Sequence, residues 1–220
     1  MLGKKAVIFD LDGVITDTAE FHYKAWKKLA DELGIYFDEK INEQLKGVDR
    51  LSSLEIILKR SQKLYTRDEK DAMAYRKNEY YKELVEGMTP ENILPGVEHV
   101  LKELKSRGIK TGLASASKNA FTVLDKLGIR AYFDYVVDAS KIAKGKPDPE
   151  IFLTAACNLD VSPSDCIGVE DAEAGVKAIK GAKMYAVGIG DKDILAEADE
   201  VISGLDKFEI DRFFMSSNEN

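Results

Sequence analysis

The chain has 220 residues and 45% of them are hydrophobic, an ordinary share for a globular protein that argues against disorder and against a disulfide-stapled mini-protein. Its formal charge of −7 argues against a general binder of nucleic acids or membrane surfaces, because net negative charge repels a polyanion. Its two cysteines and two histidines stand in no zinc-binding spacing, so zinc fingers and Cys/His hydrolases are poor candidates.

The first predicted element is a buried strand over residues 6–9, where the sequence is continuously apolar. This run ends at Asp10, far short of a secretory signal or a membrane span, so we expect a cytoplasmic protein that has no membrane partner. A helix is predicted next, because apolar and aromatic residues recur at helical spacing from His22 until Gly34 ends the run.

The segment from residue 36 to residue 87 differs in character from what precedes it. It is rich in Lys, Glu, Tyr and Leu and contains no strand-like run. Its patterns predict three helices, at about 38–46, 51–62 and 66–86. We therefore predict a small, all-helical insert, which we place with its connections at residues 16–93.

Strand and helix patterns alternate after residue 94. Strands are predicted at 109–114, 135–137, 166–169, 184–188 and 201–202. Helices are predicted at 97–107, 118–127, 148–159 and 172–180. This alternation is typical of an α/β fold with a doubly wound parallel sheet. We assign residues 1–15 and 94–220 to this core domain and residues 16–93 to the inserted helical domain.

Polar residues follow the predicted strands, and ligands of doubly wound sheets bind at that edge. These residues are Asp10, Asp12, Ser115, Glu170 and Asp171, with Lys146 in the loop 144–149. Each has an ordinary structural alternative, since Asp and Ser favour turns and helix caps and a Lys before a helix is common. Together they offer carboxylates for Mg²⁺ and donors for a phosphate. No P-loop, nucleophile-elbow or complete dinucleotide-binding motif competes with this interpretation.

These residues also carry a family resemblance. Four short stretches resemble, in order and spacing, the four motifs of the haloacid dehalogenase superfamily of phosphotransferases. They are Asp10-Leu11-Asp12-Gly13-Val14, Ser115, Lys146-Pro147 and Glu170-Asp171. The helical insert resembles the cap domain of that superfamily. The resemblance covers the whole core and implies a Rossmann-like fold and chemistry at an aspartate.

A closer resemblance is to the phosphosugar mutases of that superfamily. It rests on four stretches: residues 10–20 (DLDGVITDTAE), 42–48 with Arg50, 76–78 (RKN) and 114–119 (ASASKN). The sequence departs from this pattern at Asp49, where Ser is expected, and at Lys24, where Arg is expected. We expect these departures to affect the detailed contacts of the cap more than the class of reaction.

The resemblance implies roles for the core residues. Asp10 would be the nucleophile and Asp12 the general acid and base. Mg²⁺ would be held by Asp10, the backbone carbonyl of Asp12 and Asp171, with Glu170 as a ligand or an anchor. The phosphoryl oxygens would be bound by Lys146, the Ser115 hydroxyl and the Ala116 N–H.

The resemblance also implies substrate contacts. Arg50 would bind the distal phosphate, which Ser117, Lys118 and Asn119 would share. His22 and Lys77 would bridge the hinge to Asp12 and the sugar, and Thr18 would hydrogen-bond Asp12. The remaining predicted contacts are Gly47, Val48 and Ser53. His22 has an ordinary alternative, a place in the apolar core, because it lies on the apolar face of its helix.

The resemblance implies a Mg²⁺-dependent mutase that interconverts β-glucose 1-phosphate and glucose 6-phosphate, with β-glucose 1,6-bisphosphate as activator and intermediate. One alternative is a sugar-phosphate phosphatase, which needs no second phosphate site such as Arg50, Lys118 and Asn119. Another is a non-catalytic phosphosugar-binding protein, for which Asp10 and Asp12 would not both be required. In each case the partner is a small phosphorylated sugar and we expect a monomer.

Overall fold

The computed structural model describes residues 3–45 and 48–214. The chain divides into two compact units, one formed by residues 1–17 and 89–220 and the other by residues 18–88. The sequence had placed these boundaries after residues 15 and 93. The difference arises because Thr16 pairs with Ile93 and its hydroxyl donates to the carbonyl of Asn92 at 2.7 Å, so both connecting segments belong to the larger unit.

The larger unit contains a six-stranded parallel sheet, which confirms the predicted fold class. The strands are β1 (Ala6–Phe9), β2 (Lys110–Leu113), β3 (Tyr135–Val136), β4 (Cys166–Glu170), β5 (Tyr185–Ile189) and β6 (Glu200–Ile202). Their spatial order is β3-β2-β1-β4-β5-β6. Every residue of β1 and β4 is buried, as expected for central parallel strands that are covered on both faces.

Five α-helices of the described residues belong to this unit. They are α5 (Val97–Ser106), α6 (Ala120–Leu127), α7 (Glu150–Asn158), α8 (Glu173–Gly181) and α9 (Ile210–Phe213). Helix α7 contacts β1, β2 and β3, and α8 contacts β4 and β5. Helix α9 was not predicted, because its four residues are too few to show a helical period. The predicted elements are otherwise found within four residues of their expected ends.

The smaller unit is all-helical, as predicted. Its helices are α1 (Ala19–Glu32), α2 (Glu39–Glu43), α3 (Arg50–Leu58) and α4 (Arg67–Val85). Helix α4 packs against α1 and α3. The Thr66 hydroxyl accepts from the Glu69 N–H, and the Glu69 carboxylate accepts from the Thr66 N–H, which closes the first turn of α4. Among the described residues, no helix is long and apolar enough to cross a membrane.

Asp49, one of the departures from the family pattern, has a clear local role. It stands at the N-cap of α3, where its carboxylate accepts from the backbone N–H groups of Leu51 at 3.0 Å and Ser52 at 3.1 Å. Asp is as good as Ser at this position and adds a charge that the helix dipole favours. The substitution therefore preserves the start of the helix that carries Arg50.

Candidate active site

The centre of the site lies where the strand order reverses. Strands β1 and β4 are neighbours in the sheet although they are far apart in the chain, and the Asp10 N–H donates to the carbonyl of Val169 at 2.9 Å. Asp10 follows β1, and Glu170 ends β4. Their carboxylates therefore emerge side by side at the carboxyl edge of the sheet, the position where doubly wound folds bind ligands.

Lys146 neutralises part of this charge. Its Nζ lies 2.5 Å from Asp10 Oδ1 and 2.6 Å from Glu170 Oε2, and its side chain is only 4% exposed. Burial lowers the pKa of Lys146, but the two carboxylates outweigh burial and raise that pKa above its usual value. Lys146 is thus a fixed cation beside the predicted nucleophile.

Three carboxylates converge beside this lysine. Asp10, Glu170 and Asp171 each offer an oxygen within 4.8 Å of the others. Burial, then the charge of Glu170, raises the pKa of Asp10 to about 7 even though Lys146 opposes the shift. Burial, then Glu170 and Asp10, raises the pKa of Asp171 to about 8. The raised pKa values show that Lys146 alone does not offset the burial and mutual repulsion of these carboxylates.

This cluster fits a magnesium ion. Mg²⁺ takes hard oxygen ligands, and one or two carboxylates together with a substrate phosphate are typical. A bound divalent cation would offset the mutual repulsion of the three carboxylates. The Asp12 side chain is not one of this group of three, and the use of its backbone carbonyl stays a prediction.

Glu170 is held in one orientation. Its Oε2 accepts from Lys146, while its Oε1 accepts from the backbone N–H groups of Asp171 and Ala172 at 3.2 Å each. The side chain is buried. These contacts fix Glu170 between the lysine and the start of α8, which supports either role predicted for it, ligand or anchor.

The turn after β1 is shaped by Gly13. Its φ of 73° is in the left-handed region, and its N–H donates to the carbonyl of Thr16 at 2.8 Å. A Cβ at Gly13 would lie 2.1 Å from Asp171 Oδ2. The glycine therefore allows the half-buried Asp12 segment to pass close to the carboxylate cluster.

The segment after β2 contains the predicted phosphate-binding residues of the core. The Ala114 N–H donates to the carbonyl of Phe9, which places Ser115 beside the end of β1. The Ser115 hydroxyl is buried and accepts from the Ser117 N–H at 3.1 Å. The Ser117 hydroxyl in turn accepts from the N–H of Asn119, the N-cap residue of α6, at 3.2 Å. Ala116 and Lys118 are exposed.

Three predicted residues meet within the helical unit. Lys77 Nζ lies 2.8 Å from His22 Nδ1, and the Tyr81 hydroxyl donates to Thr18 Oγ1 at 3.2 Å. The rings of His22 and Tyr81 are 4.2 Å apart between centroids. Burial, Lys77 and Arg50 hold the pKa of His22 well below its usual value. His22 is thus half-buried and part of a polar cluster. A histidine that only packed in the apolar core would not need these polar contacts.

The other predicted contacts of this unit lie near α3. Arg50 is the first residue of that helix and is half-buried, and burial lowers its pKa. The Ser53 hydroxyl donates to the carbonyl of Val48 at 3.3 Å. Gly47 lies outside the described residues.

Two residues with a close relation to the site were missed by the sequence analysis. Gly175, in the first turn of α8, lies against Glu170. Tyr81 contacts three of the predicted site residues, Thr18, His22 and Lys77. A spacing of four residues relates Thr18, at the N-cap of α1, to His22 and Trp26 on that helix, and Lys77 to Tyr81 on α4. This spacing would have indicated one polar and aromatic stripe on each helix.

Comparison with known proteins places the chain in a family. A model of the haloacid dehalogenase-like hydrolases matches residues 4–183. The chain therefore belongs to the haloacid dehalogenase-like hydrolase family, and the resemblance read from the motifs is confirmed.

Individual relatives narrow the comparison. The β-phosphoglucomutase of Bacillus subtilis is 53% identical over 200 residues, which cover 90% of this chain and 88% of the relative. The crystal structure of β-phosphoglucomutase from Clostridium difficile matches with a TM-score of 0.91 at 48% identity, covering 96% of this chain and 95% of the other. The phosphorylated carbohydrates phosphatase of Thermotoga maritima is 33% identical over 90% of this chain and 92% of its own length.

Proposed function

We propose that the protein is a β-phosphoglucomutase, an isomerase that interconverts β-glucose 1-phosphate and glucose 6-phosphate. The observation that carries the reaction class is the group of buried Asp10, Lys146 and Glu170 side chains with half-buried Asp171 at the carboxyl edge of the sheet. The similarity to the B. subtilis enzyme, 53% identity across nine-tenths of the chain, favours the mutase over other activities of the family.

Asp10 is the proposed nucleophile. One of its oxygens attacks the phosphorus of β-glucose 1,6-bisphosphate, the bond from phosphorus to the sugar oxygen breaks, and an aspartyl-phosphate forms. A carboxylate nucleophile divides one difficult displacement into two easier ones. The same phosphoryl group then passes from Asp10 to the other hydroxyl of a glucose monophosphate and regenerates the bisphosphate.

Asp12 is the proposed general acid and base. It gives a proton to the departing sugar oxygen and takes one from the attacking hydroxyl, a role worth about 10²–10⁴-fold in rate. Lys146 and the Ser115 hydroxyl bind phosphoryl oxygens, with the Ala116 N–H as a further donor. Because Lys146 is already fixed against Asp10, little reorganisation is needed when charge develops.

The proposed cofactor is one Mg²⁺ ion held by Asp10, Asp171 and the Asp12 carbonyl, with Glu170 beside them. Bound there, the ion supplies positive charge that lets an anionic nucleophile approach an anionic phosphate. The protein groups contribute the fixed positions of the carboxylates, which the Glu170 contacts to Lys146 and to the start of α8 support.

The distal phosphate requires its own cationic and donor groups. We propose that Arg50 binds it as a planar fork, together with Ser117, Lys118 and Asn119. Contacts to the sugar and to Asp12 are assigned to His22, Lys77 and Thr18. The remaining substrate contacts are assigned to Gly47, Val48 and Ser53. These assignments rest on the family resemblance.

The nearest rival is a sugar-phosphate phosphatase, the activity named for the T. maritima relative. Phosphorus NMR of the protein with Mg²⁺, β-glucose 1-phosphate and a trace of β-glucose 1,6-bisphosphate separates the two functions. The mutase converts the substrate to glucose 6-phosphate with little inorganic phosphate. Stoichiometric inorganic phosphate would instead establish the phosphatase, and absence of turnover would favour a binding protein. A monomeric state and a cytoplasmic location stay predictions from the sequence.

A further inference from the structure

Tyr81 is the most thoroughly enclosed large side chain of the helical unit. It is on α4, its exposure is 0%, and its hydroxyl nevertheless has a polar partner, since it donates to Thr18 Oγ1 at 3.2 Å. A buried tyrosine that serves only for packing gains nothing from its hydroxyl, and burying a hydroxyl costs free energy unless it is bonded. The hydroxyl therefore marks a specific contact between α4 and the start of α1.

Thr18 is an unusual N-cap residue. It precedes α1 and its carbonyl accepts from the His22 N–H at 2.9 Å, so it begins the helix. Threonine at this position ordinarily caps the first turn through its hydroxyl. In the described structure Thr18 makes no such side-chain capping bond, and its hydroxyl is engaged by Tyr81 instead. The Tyr81 bond thus helps to hold the Thr18 hydroxyl in place.

The ring of Tyr81 contacts a second predicted site residue. It lies 4.2 Å from the His22 ring between centroids with a tilt of 30°, which makes it a flat support for the imidazole. The Lys77 ammonium lies 5.1 Å from the Tyr81 ring centroid and 4.8 Å from that of Trp26, within cation–π range of both. One aromatic side chain therefore touches Thr18, His22 and Lys77.

The contact with Lys77 determines which hydrogen bond His22 can offer. A lysine ammonium only donates, so His22 Nδ1, 2.8 Å from Lys77 Nζ, is an acceptor. Burial and the nearby Lys77 and Arg50 lower the pKa of His22, so the imidazole is neutral and its proton is on Nε2. His22 is accordingly an N–H donor of fixed direction.

We propose that Tyr81 is a positioning residue for the phosphosugar reaction, whose hydroxyl fixes Thr18 and whose ring fixes the plane of His22. This inference rests on the proposed function, because Thr18 and His22 matter to turnover only if the protein acts on the sugar phosphate. It differs from a packing role in one respect: the hydroxyl contributes to turnover even where it contributes little to folding.

The first test is a double-mutant cycle on turnover of β-glucose 1-phosphate. Tyr81→Phe keeps the ring and removes the hydroxyl, and we expect kcat to fall about fivefold, the usual worth of one neutral hydrogen bond. Thr18→Val is expected to cost at least as much. The double variant should lose no more than Thr18→Val alone, since both changes break the same bond. Additive losses, or wild-type kcat for Tyr81→Phe, would overturn the proposal.

Tyr75→Phe is the matched control, because Tyr75 is on the same helix but 66% exposed. We expect it to retain wild-type kcat, and we expect Tyr81→Phe to unfold in denaturant at a midpoint only slightly below that of this control, by the loss of one neutral hydrogen bond. A large shift of that midpoint with a proportionate loss of active protein would show a purely structural role.

The second test does not need turnover. The chain has two histidines, so nitrogen-15 and proton NMR of the imidazoles gives only two sets of signals, with the exposed His99 as an internal reference. We expect His22 to show a protonated Nε2 and ring-current shifts that persist in Tyr81→Phe and disappear in Tyr81→Leu. Unshifted His22 signals in the wild type would overturn the positioning role. If β-glucose 1-phosphate is not turned over but these signals are found, the proposed function fails and the arrangement of His22 stands.

Discussion

The Glu170 carboxylate fills the space that a side chain at Gly175 would need. A Cβ atom on Gly175 would lie 2.0 Å from the Glu170 carboxylate carbon and 2.0 Å from its Oε2. Glu170 cannot move away easily, because Lys146 and the N–H groups of Asp171 and Ala172 hold both of its oxygens. The glycine is thus part of the wall that fixes the proposed metal cluster.

We predict that Gly175→Ala weakens Mg²⁺ binding by about 10- to 100-fold, the usual effect of disturbing a group that orients a metal ligand. Calorimetric titration of the protein with Mg²⁺ alone measures this directly. Gly181→Ala, in the last turn of the same helix, is the matched control, since its Cβ would meet only Pro149 carbons at 3.5 Å or more. Equal Mg²⁺ affinity for the two variants would contradict the steric role of Gly175.

The sequence contained enough information to locate this site but not to describe its interior. Asp10 and Glu170 were predicted to meet because parallel strands present their carboxyl ends at one edge. The family motif singled out Lys146, but loop chemistry alone does not distinguish it from Lys144, because which lysine turns inward depends on how the loop packs. In the structure Lys146 reaches Asp10 and Lys144 is largely exposed.

Contacts between distant segments were the harder part. The bond between Tyr81 and Thr18 joins residues 63 positions apart, and helical spacing alone shows a face without showing what it faces. The closeness of Gly175 to Glu170 has a similar origin, because it depends on the angle at which α8 leaves β4. Asp49 shows the opposite case, since its capping role follows from local chemistry.

Lys146→Met is predicted to reduce kcat by at least about 10²-fold, as removal of one fixed charge-stabilising donor commonly does. It should also destabilise the metal-free protein, because breaking a buried ion pair costs about 3–5 kcal/mol unless the carboxylates take up protons. Denaturant unfolding should show that Mg²⁺ restores more stability to this variant than to the wild type. The control is Lys144→Met, which should change neither quantity because the Lys144 side chain is 74% exposed. If Lys146→Met had the kcat and stability of the wild type, Lys146 would not have the proposed role.

His22 is predicted to make the protein less stable in acid. Its pKa in the folded state is lowered by burial and by Lys77 and Arg50, so below about pH 6.5 the unfolded chain binds a proton that the folded chain does not. Stability from this residue is therefore present above pH 6.5 and is lost as the pH falls below it, with a slope of at most about 1.4 kcal/mol per pH unit.

Urea unfolding at pH 7.5, 6.5 and 5.5 measures this effect. His22→Gln retains an acceptor for Lys77 but cannot titrate, so its stability should fall less steeply than that of the wild type. His99→Gln, at an exposed position of α5, serves as the control for loss of a histidine. Identical acid slopes for the wild type and His22→Gln would show that His22 is not held in the neutral form.

Arg50→Ala is predicted to separate sugar-phosphate turnover from simple phosphoryl chemistry. If Arg50 binds the distal phosphate, its loss removes one or two charge-assisted hydrogen bonds and should lower kcat/KM for β-glucose 1-phosphate by about 10- to 150-fold. Hydrolysis of acetyl phosphate, which has no distal phosphate, should change little. Arg50→Lys should fall between the wild type and Arg50→Ala, because an ammonium retains the charge without the planar fork.

The control for this comparison is Arg67→Ala, whose guanidinium side chain is 86% exposed at the start of α4 and should affect neither substrate. Both assays use the same Mg²⁺ concentration, so a change at the metal cluster would lower both activities together. Equal losses on the two substrates in Arg50→Ala would place Arg50 outside phosphate recognition. A loss of activity confined to the sugar phosphate would show that the protein has a second phosphate site, the feature that distinguishes a mutase from a phosphatase.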